Sequence, residues 1–213
     1  KKINSAADDA AGFAIAERMT AQVRGLNMAT KNANDGLAML ATIENATNDV
    51  TDMLQRIREL AVQAANDTNS STDRTYLQKE VDSLMNEINR VASQTVYNDL
   101  NVLDGTRSGT IQVGTDAGQT VSFSIAAIDT DTLGLTTLSF TAGTPATVSD
   151  VSSVTADTDG VLSVNVAQKI SVLTASDAAN SLTAITTAIE QVASNRAGYG
   201  ALANRLEYTV SNL

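Results

Sequence analysis

The sequence contains no cysteine and no histidine. The lack of cysteine excludes disulfide bonds, thiol catalysis and thiolate metal sites. The lack of histidine removes the usual general base and the commonest transition-metal ligand. The 213 residues include one proline, no tryptophan, four tyrosines and three phenylalanines, which disfavours a thick core with much aromatic bulk. These absences argue against most enzymes and favour a structural or assembly role.

Positive charge is also scarce, with 14 Lys and Arg against 24 Asp and Glu and a net charge of −10. Nucleic-acid binding needs clustered cations, so we expect no nucleic-acid partner. No run of about 18 apolar residues is present, and we expect no membrane insertion. The chain opens with Lys-Lys-Ile, without an initiator methionine or a signal-peptide core. This start is typical of a fragment excised from a longer protein.

Apolar residues at helical spacing dominate the first half of the chain. Over 26–40 and again over 43–64 they alternate steps of three and four, as in a coiled-coil seam with one phase slip. This pattern predicts one helix over 9–66, roughly 85 Å long at 1.5 Å per residue. The Asn-Asp-Gly at 34–36 leaves open a turn between two helices, although the seam passes through it in phase.

Two more helices are predicted further along the chain. After a polar loop at 66–71, Ser70, Ser71 or Thr72 caps a second helix, which so short a loop makes antiparallel to the first. Over 182–213 the steps of three and four continue without interruption, so we expect a long helix that runs on past residue 213. The predicted seam of the second helix is Leu77, Val81, Leu84, Ile88 and Val91.

The chain between these helices is rich in Thr, Ser, Val and Gly. Polar and apolar residues alternate over 110–113 and 120–125 around a Gly-rich turn, which predicts a β-hairpin. Further strand candidates lie at 133–141 and 161–166.

The predicted fold class is mainly α with a smaller β part (α+β), a long antiparallel helical rod with a β-hairpin region and a small β-rich insert. We assign 1–130 to the N-terminal part of the rod, 131–174 to the insert, and 175–213 to the helix that completes the rod.

Three acidic pairs suggest a metal or acid–base site: Asp8-Asp9, Asp129 with Asp131, and Asp157 with Asp159. Paired carboxylates bind Ca²⁺, but the later ligands of an EF-hand do not follow the last pair. Helix N-termini and polar turns account for the same residues. With no histidine, and no Ser-x-x-Lys context at Lys169, we expect no enzyme, no cofactor and no metal site.

Four ordered segments resemble bacterial flagellin: INSAADDAAGFAIAERM (3–19), NANDG (32–36), LQRIRELAVQAAN (54–66) and NRAGYGALANRLE (195–207). With LQKEVDSLMNEINRVASQT (77–95), the resemblance covers nearly all of 1–128 and 175–213. It implies a filament subunit for motility, secreted through the flagellar export apparatus and extracellular in the flagellum. It also implies a homo-oligomer in the full-length protein, an export chaperone and a filament cap as partners, and a surface-facing variable insert. The terminal helices of the family are missing, so the fragment is expected to be monomeric.

The resemblance also implies recognition by the flagellin-sensing Toll-like receptor. The corresponding positions are Arg56, Leu60 and Glu80, with Gln55 and Gln63 alongside. From pattern alone, Arg56, Arg58 and Glu59 indicate a solvated helix face with local ion pairs.

The sequence departs from the family pattern at three places. It has Tyr97-Asn98-Asp99 where the family commonly has Phe-Asn-Gly, Tyr199 where Leu is usual, and Ala203 where Gln is usual. The alternatives left open are a hook–filament junction protein and a cell-surface polysaccharide- or cation-binding homologue.

Overall fold

The computed structural model describes residues 9–135, 153–156, 162–165 and 170–213. Its helices are α1 (Ala10–Ala64), α2 (Ser71–Gln94) and α3 (Ala175–Asn212). Its strands form three antiparallel pairs: β1 (Val96–Tyr97) with β2 (Leu100–Asn101), β3 (Ser108–Gln112) with β4 (Thr120–Ser124), and β5 (Ser153–Ala156) with β6 (Leu162–Asn165). The predicted class, mainly α with a smaller β part, is confirmed.

Helix α1 is continuous, so the single long helix is confirmed and the alternative turn at 34–36 is wrong. It begins where Asp9 accepts a hydrogen bond from the Gly12 amide at 3.0 Å. Gly36 is buried inside the helix, and a Cβ added there would lie 2.5 Å from Ile111 Cδ1. The glycine therefore permits close approach of β3 to α1 and does not form a turn.

The three helices form an antiparallel rod. Arg74, near the start of α2, donates from Nε to the Ala64 carbonyl at 2.9 Å, while Tyr97, beyond its end, donates its hydroxyl to the Asp35 carbonyl at 3.1 Å. The two helices therefore run in opposite directions, as predicted. Leu206, late in α3, approaches α1 at Gly36, whereas Val172, just before α3, bonds to Gln78 near the start of α2 and therefore lies toward the end of α1. Helix α3 is thus also antiparallel to α1.

Helix α2 begins at a capping box formed by Ser70 and Asp73. Two residues of the predicted seam, Val81 and Ile88, are buried as expected. Leu77, Leu84 and Val91 are only half-buried, and the residue that follows each of them is buried instead. At the first of these positions α2 packs against 170–172, since Gln78 Oε1 accepts from the Val172 amide at 2.7 Å. The buried positions of α2 are Gln78, Val81, Met85, Ile88 and Ala92.

One apolar core runs through the rod and includes residues from all three helices and from the hairpin β3–β4. Leu135, Ile170 and Val172, which lie at the two ends of the predicted insert, are fully buried in this core. By contrast, every residue over 13–24 of α1 is exposed. The core therefore covers only part of the longest helix.

The β-hairpin predicted around 114–118 is confirmed as β3–β4, and β6 lies within the predicted 161–166. The strand predicted at 133–141 is wrong in its described part. There the chain makes a turn, in which the Leu135 amide donates to the Thr130 carbonyl at 2.8 Å and Gly134 has φ +70°. Residues 136–141 lie outside the described residues.

The sequence did not predict the pair β1–β2, which is joined by a two-residue turn. Asn98 and Asp99 both have positive φ, 51° and 61°, as a type I′ turn requires. This is the Tyr-Asn-Asp that stands where the resemblance leads one to expect Phe-Asn-Gly, so the turn forms without the glycine.

Candidate functional site

Arg56 lies on the outer side of α1, in a part of the helix whose inner side is fully buried. Leu54 and Ile57, on either side of it in sequence, have 0% exposed surface, whereas the Arg56 side chain is 50% exposed. A helical step of about 100° per residue produces this alternation. The pattern therefore predicted correctly which residues of this segment face solvent.

The Arg56 guanidinium connects α1 to α2. Its Nε and Nη2 contact Glu80 Oε1 at 2.8 Å and 2.7 Å, and its Nη1 contacts Glu59 Oε2 at 3.0 Å. The hydrogen bond to Glu80, followed by the one to Glu59, raises the pKa of Arg56 above its ordinary value. The arginine therefore remains charged and is held by two carboxylates in one orientation on the surface.

The structure brings four of the five predicted site residues to one surface. Gln55 and Gln63 are exposed on α1 and line one shallow concavity together with Glu59, which pairs with Arg56. Leu60 is different, because only 1% of its surface is exposed. It lies beneath the others as part of the core. We call the exposed set Gln55, Arg56, Glu59, Gln63 and Glu80 the Arg56 surface.

A shallow concavity of about 390 Å³ adjoins the Arg56 surface and is bordered by Arg58 and Val62. Val62 is 56% exposed, which makes it an unusual apolar residue for this face. Sequence reasoning missed it as a candidate. The sequence did contain an indication that Val62 is exposed, because it does not belong to the apolar steps of four and three formed by the buried residues Ile57, Ala61 and Ala64.

The acidic pairs serve as caps and turns where the structure describes them. Asp9 caps α1, and Asp129 Oδ1 accepts from the Thr132 amide at 2.7 Å within a turn. Asp8, Asp157 and Asp159 lie outside the described residues. Over 9–135, 153–156, 162–165 and 170–213, no group of three or more Asp or Glu is placed to hold a metal ion.

None of the helices within those ranges combines the length and apolar character needed to cross a membrane.

A family model described as the bacterial flagellin N-terminal helical region matches residues 1–108. Flagellin 1 of Proteus mirabilis is 51% identical over 135 residues, which are 63% of this chain and 37% of that protein. A flagellin of Salmonella typhimurium is 50% identical over 137 residues, 64% of this chain and 28% of that protein. The chain thus spans about a third of the length of the curated relatives it matches.

Solved structures agree with the sequence comparison. A crystal structure of Bacillus cereus flagellin superposes with a TM-score of 0.63 at 27% identity, covering 86% of this chain and 89% of that one. FliC of Burkholderia pseudomallei shares the fold, with a TM-score of 0.62 at 24% identity, covering 80% of this chain and 99% of that one. The rod, its motifs and a family model that matches just over half of the residues lead to one conclusion: the chain belongs to the bacterial flagellin family.

Proposed function

We propose that this chain is the rod of a structural subunit of the bacterial flagellar filament, which assembles with copies of itself outside the cell and serves motility. Relatives about 50% identical carry the name flagellin, which favours a filament subunit over a junction protein. The observation that carries the proposal is an apolar stripe on the exposed part of α1.

The stripe consists of Ile15, Met19 and Val23, which are 50%, 58% and 57% exposed. Steps of four place these side chains along one helix face, and Leu26 continues that face into the covered part of the rod. Exposed apolar surface in such a row is typical of a site that another helix covers. Assembly with further helical segments would supply that cover.

The test is to place a charge on the stripe in a full-length flagellin that contains this chain. We expect Met19→Glu to prevent polymerisation, because assembly would bury an unpaired carboxylate. The matched control is Ala14→Glu, which adds the same charge on the opposite face of α1, also at an exposed position. Filament mass is measured by sedimentation and electron microscopy. Normal filaments from the Met19 variant would contradict the proposal.

The same proposal includes the route and the partners of the full-length protein. We propose secretion through the flagellar export apparatus, with an export chaperone and a filament cap as partners. We also propose that the 213-residue chain by itself is monomeric. Analytical ultracentrifugation of the isolated chain tests this, and a stable dimer or polymer would count against it.

We further propose that the Arg56 surface is recognised by the flagellin-sensing Toll-like receptor. The support is its composition and geometry, an arginine oriented by Glu80 and Glu59 between two exposed glutamines. Arginine is enriched among the residues that dominate binding energy at interfaces. The two glutamates hold the guanidinium in one orientation in the free chain, which would lower the entropic cost of ordering the side chain on binding.

The experiment compares two arginines in similar settings. Arg56 is 50% exposed and paired with glutamates, and Arg90 on α2 is 52% exposed and paired with Glu87. We expect Arg56→Ala to weaken receptor binding by about 30-fold, as for an interface hot spot worth about 2 kcal/mol. Arg90→Ala should leave binding unchanged. Equal affinity of the Arg56 variant and the parent would remove the assignment.

Leu60 requires a different interpretation from the other predicted receptor-binding residues. Because it is buried, its side chain supports the helix surface from beneath. We expect Leu60→Ala to lower the stability of the chain and receptor binding together, whereas Arg56→Ala should lower binding alone. Thermal unfolding measured beside binding separates the two effects.

A further inference from the structure

Tyr76 is the one aromatic residue of α2, and 64% of its surface is exposed. The next residue, Leu77, is half-buried and packs against the core, so the side of α2 that carries Tyr76 faces solvent. The Lys79 ammonium lies over the ring, 5.7 Å from its centroid, which is within the range of a cation–π interaction. One face of the ring is therefore occupied within the chain, and the other is open to a partner.

Tyr76 adjoins the Arg56 surface. Glu80, which contacts Arg56, follows Tyr76 by four residues, and side chains at this spacing are neighbours on one face of a helix. Because α2 runs antiparallel to α1, Tyr76 lies about one helical turn beyond that contact, in the direction of Gln63. An arginine from α1 and a tyrosine from α2 therefore stand on one continuous surface.

The apolar stripe proposed for filament assembly lies elsewhere on the rod. Val23, its last residue, and Arg56 are roughly 50 Å apart along α1 at 1.5 Å per residue. Tyr76 is thus far from the surface assigned to contact between copies. Its continuity with the Arg56 surface favours the receptor as the partner of the open ring face.

We propose that Tyr76 is a second anchor for the receptor, which contacts Arg56 on α1 and covers the open face of the Tyr76 ring with an apolar side chain. Arginine and tyrosine, with tryptophan, are enriched among the residues that dominate binding energy, and such residues cluster. A tyrosine ring offers a large contact area at a low entropic cost, because only two side-chain torsions are ordered. The inference rests on the proposed receptor recognition and adds to it a residue that the resemblance to flagellin does not imply.

The first test measures the affinity of the 213-residue chain for the receptor ectodomain by titration calorimetry. Tyr76→Ala should weaken binding about tenfold, a loss typical of an interface anchor. Tyr76→Phe retains the ring and should bind within about twofold of the parent. The matched control is Tyr208→Ala, at a tyrosine of α3 that is 72% exposed, and it should leave the affinity unchanged. Melting temperatures of the variants should equal that of the parent, since both tyrosines are exposed.

Arg56→Ala, measured beside these variants, separates the inference from the proposal on which it rests. If Arg56→Ala weakens binding and Tyr76→Ala does not, the second anchor is wrong and receptor recognition stands. If neither change weakens binding, both are wrong. Equal losses in Tyr76→Phe and Tyr76→Ala would also contradict the inference, because the ring is retained in one of them.

A second test needs no substitution. Nitration of tyrosine, followed by mass spectrometry of the chain, should modify both Tyr76 and Tyr208 in the free chain, because both are exposed. The receptor ectodomain should protect Tyr76 and leave Tyr208 reactive. Equal nitration of Tyr76 in the free and the bound chain would show that the receptor does not cover the ring.

A contact between copies is the competing role for Tyr76. It would appear as a raised critical concentration for polymerisation when Tyr76→Ala is placed in a full-length flagellin that contains this chain. That result, together with unchanged receptor affinity, would overturn the inference.

Discussion

The two stretches of α1 have similar sequence patterns but different surroundings. Over 29–64, the helix buries residues such as Ile43, Leu54 and Ile57 completely, because α2, α3 and the hairpin β3–β4 pack against it. Over 13–24, Ile15 and Met19 occupy comparable positions and remain at least half exposed. Isolated helices are marginal in water, so the stability of a helix depends mostly on what covers its apolar face. The comparison shows that the sequence pattern makes both stretches helical, whereas packing against other elements stabilises only the covered one.

The largest predicted effect compares an isoleucine from each stretch. Ile57→Ala should destabilise the chain by about 3 kcal/mol, because Ile57 has 0% exposed surface and its loss leaves a cavity. Ile15→Ala should change stability by less than about 0.5 kcal/mol, since Ile15 is 50% exposed. Urea unfolding followed by circular dichroism gives both values. Equal losses would mean that the two stretches are covered alike in solution.

The next effect concerns a position of α3 that contacts the segment just after β4. Tyr199 is 8% exposed, and its hydroxyl accepts from the Ala126 amide at 3.1 Å. Tyr199→Phe should cost about 1 kcal/mol through the lost hydrogen bond. Tyr208→Phe, at a tyrosine 72% exposed, is the control and should have no effect.

Tyr199 also predicts a pH dependence. Burial raises its pKa, although the bond from the Ala126 amide acts in the opposite direction. The folded chain therefore holds the phenol proton more tightly than the unfolded chain. This contribution is complete below pH 10, the ordinary tyrosine value, and is lost as the pH rises above it. Unfolding curves at alkaline pH should thus fall less steeply for Tyr199→Phe than for the parent, and parallel curves would contradict the assignment.

A smaller effect is expected at two helical glycines, one with free space around its Cα and one packed against β3. A Cβ at Gly200 on α3 would meet no atom within 4 Å, so Gly200→Ala should stabilise the chain by about 0.8 kcal/mol through helix propensity. At Gly36 the same change displaces Ile111, and no net gain is expected. Melting temperatures of the two variants test the contrast. Stabilisation at Gly36 equal to that at Gly200 would show that β3 does not hold its position on α1.

The smallest effect lies at the tip of β1–β2. Asp99 has φ +61°, a backbone conformation that glycine adopts without strain. Asp99→Gly should stabilise the chain by about 0.5 kcal/mol, and Asn98→Gly should gain less because Asn tolerates this conformation better than Asp. Thermal unfolding decides the order, and a loss of stability at Asp99 would contradict the turn geometry.

The helices were predictable because each carries a long apolar period, with one phase slip in α1, and α1 was predicted within two residues at each end. The buried face of α2 was not, because it depends on contacts between residues distant in sequence, such as the one between Gln78 and the backbone at Val172, 94 residues away. The strand expected from 133 was wrong since a local turn, with Gly134 at positive φ, replaces it. Alternation of apolar and polar residues does not distinguish these outcomes without the neighbouring elements.

The sequence by itself determined the helical periods and the exposure of Arg56, and it placed the start of the first two helices within a few residues, because each follows from local spacing and local hydrogen bonding. The tertiary structure alone decided the rest. It placed Glu80 against Arg56, buried Leu60 beneath that pair, and left one stretch of α1 uncovered. These features depend on which elements meet across long separations in the chain, and packing free energy, not local preference, sets those contacts.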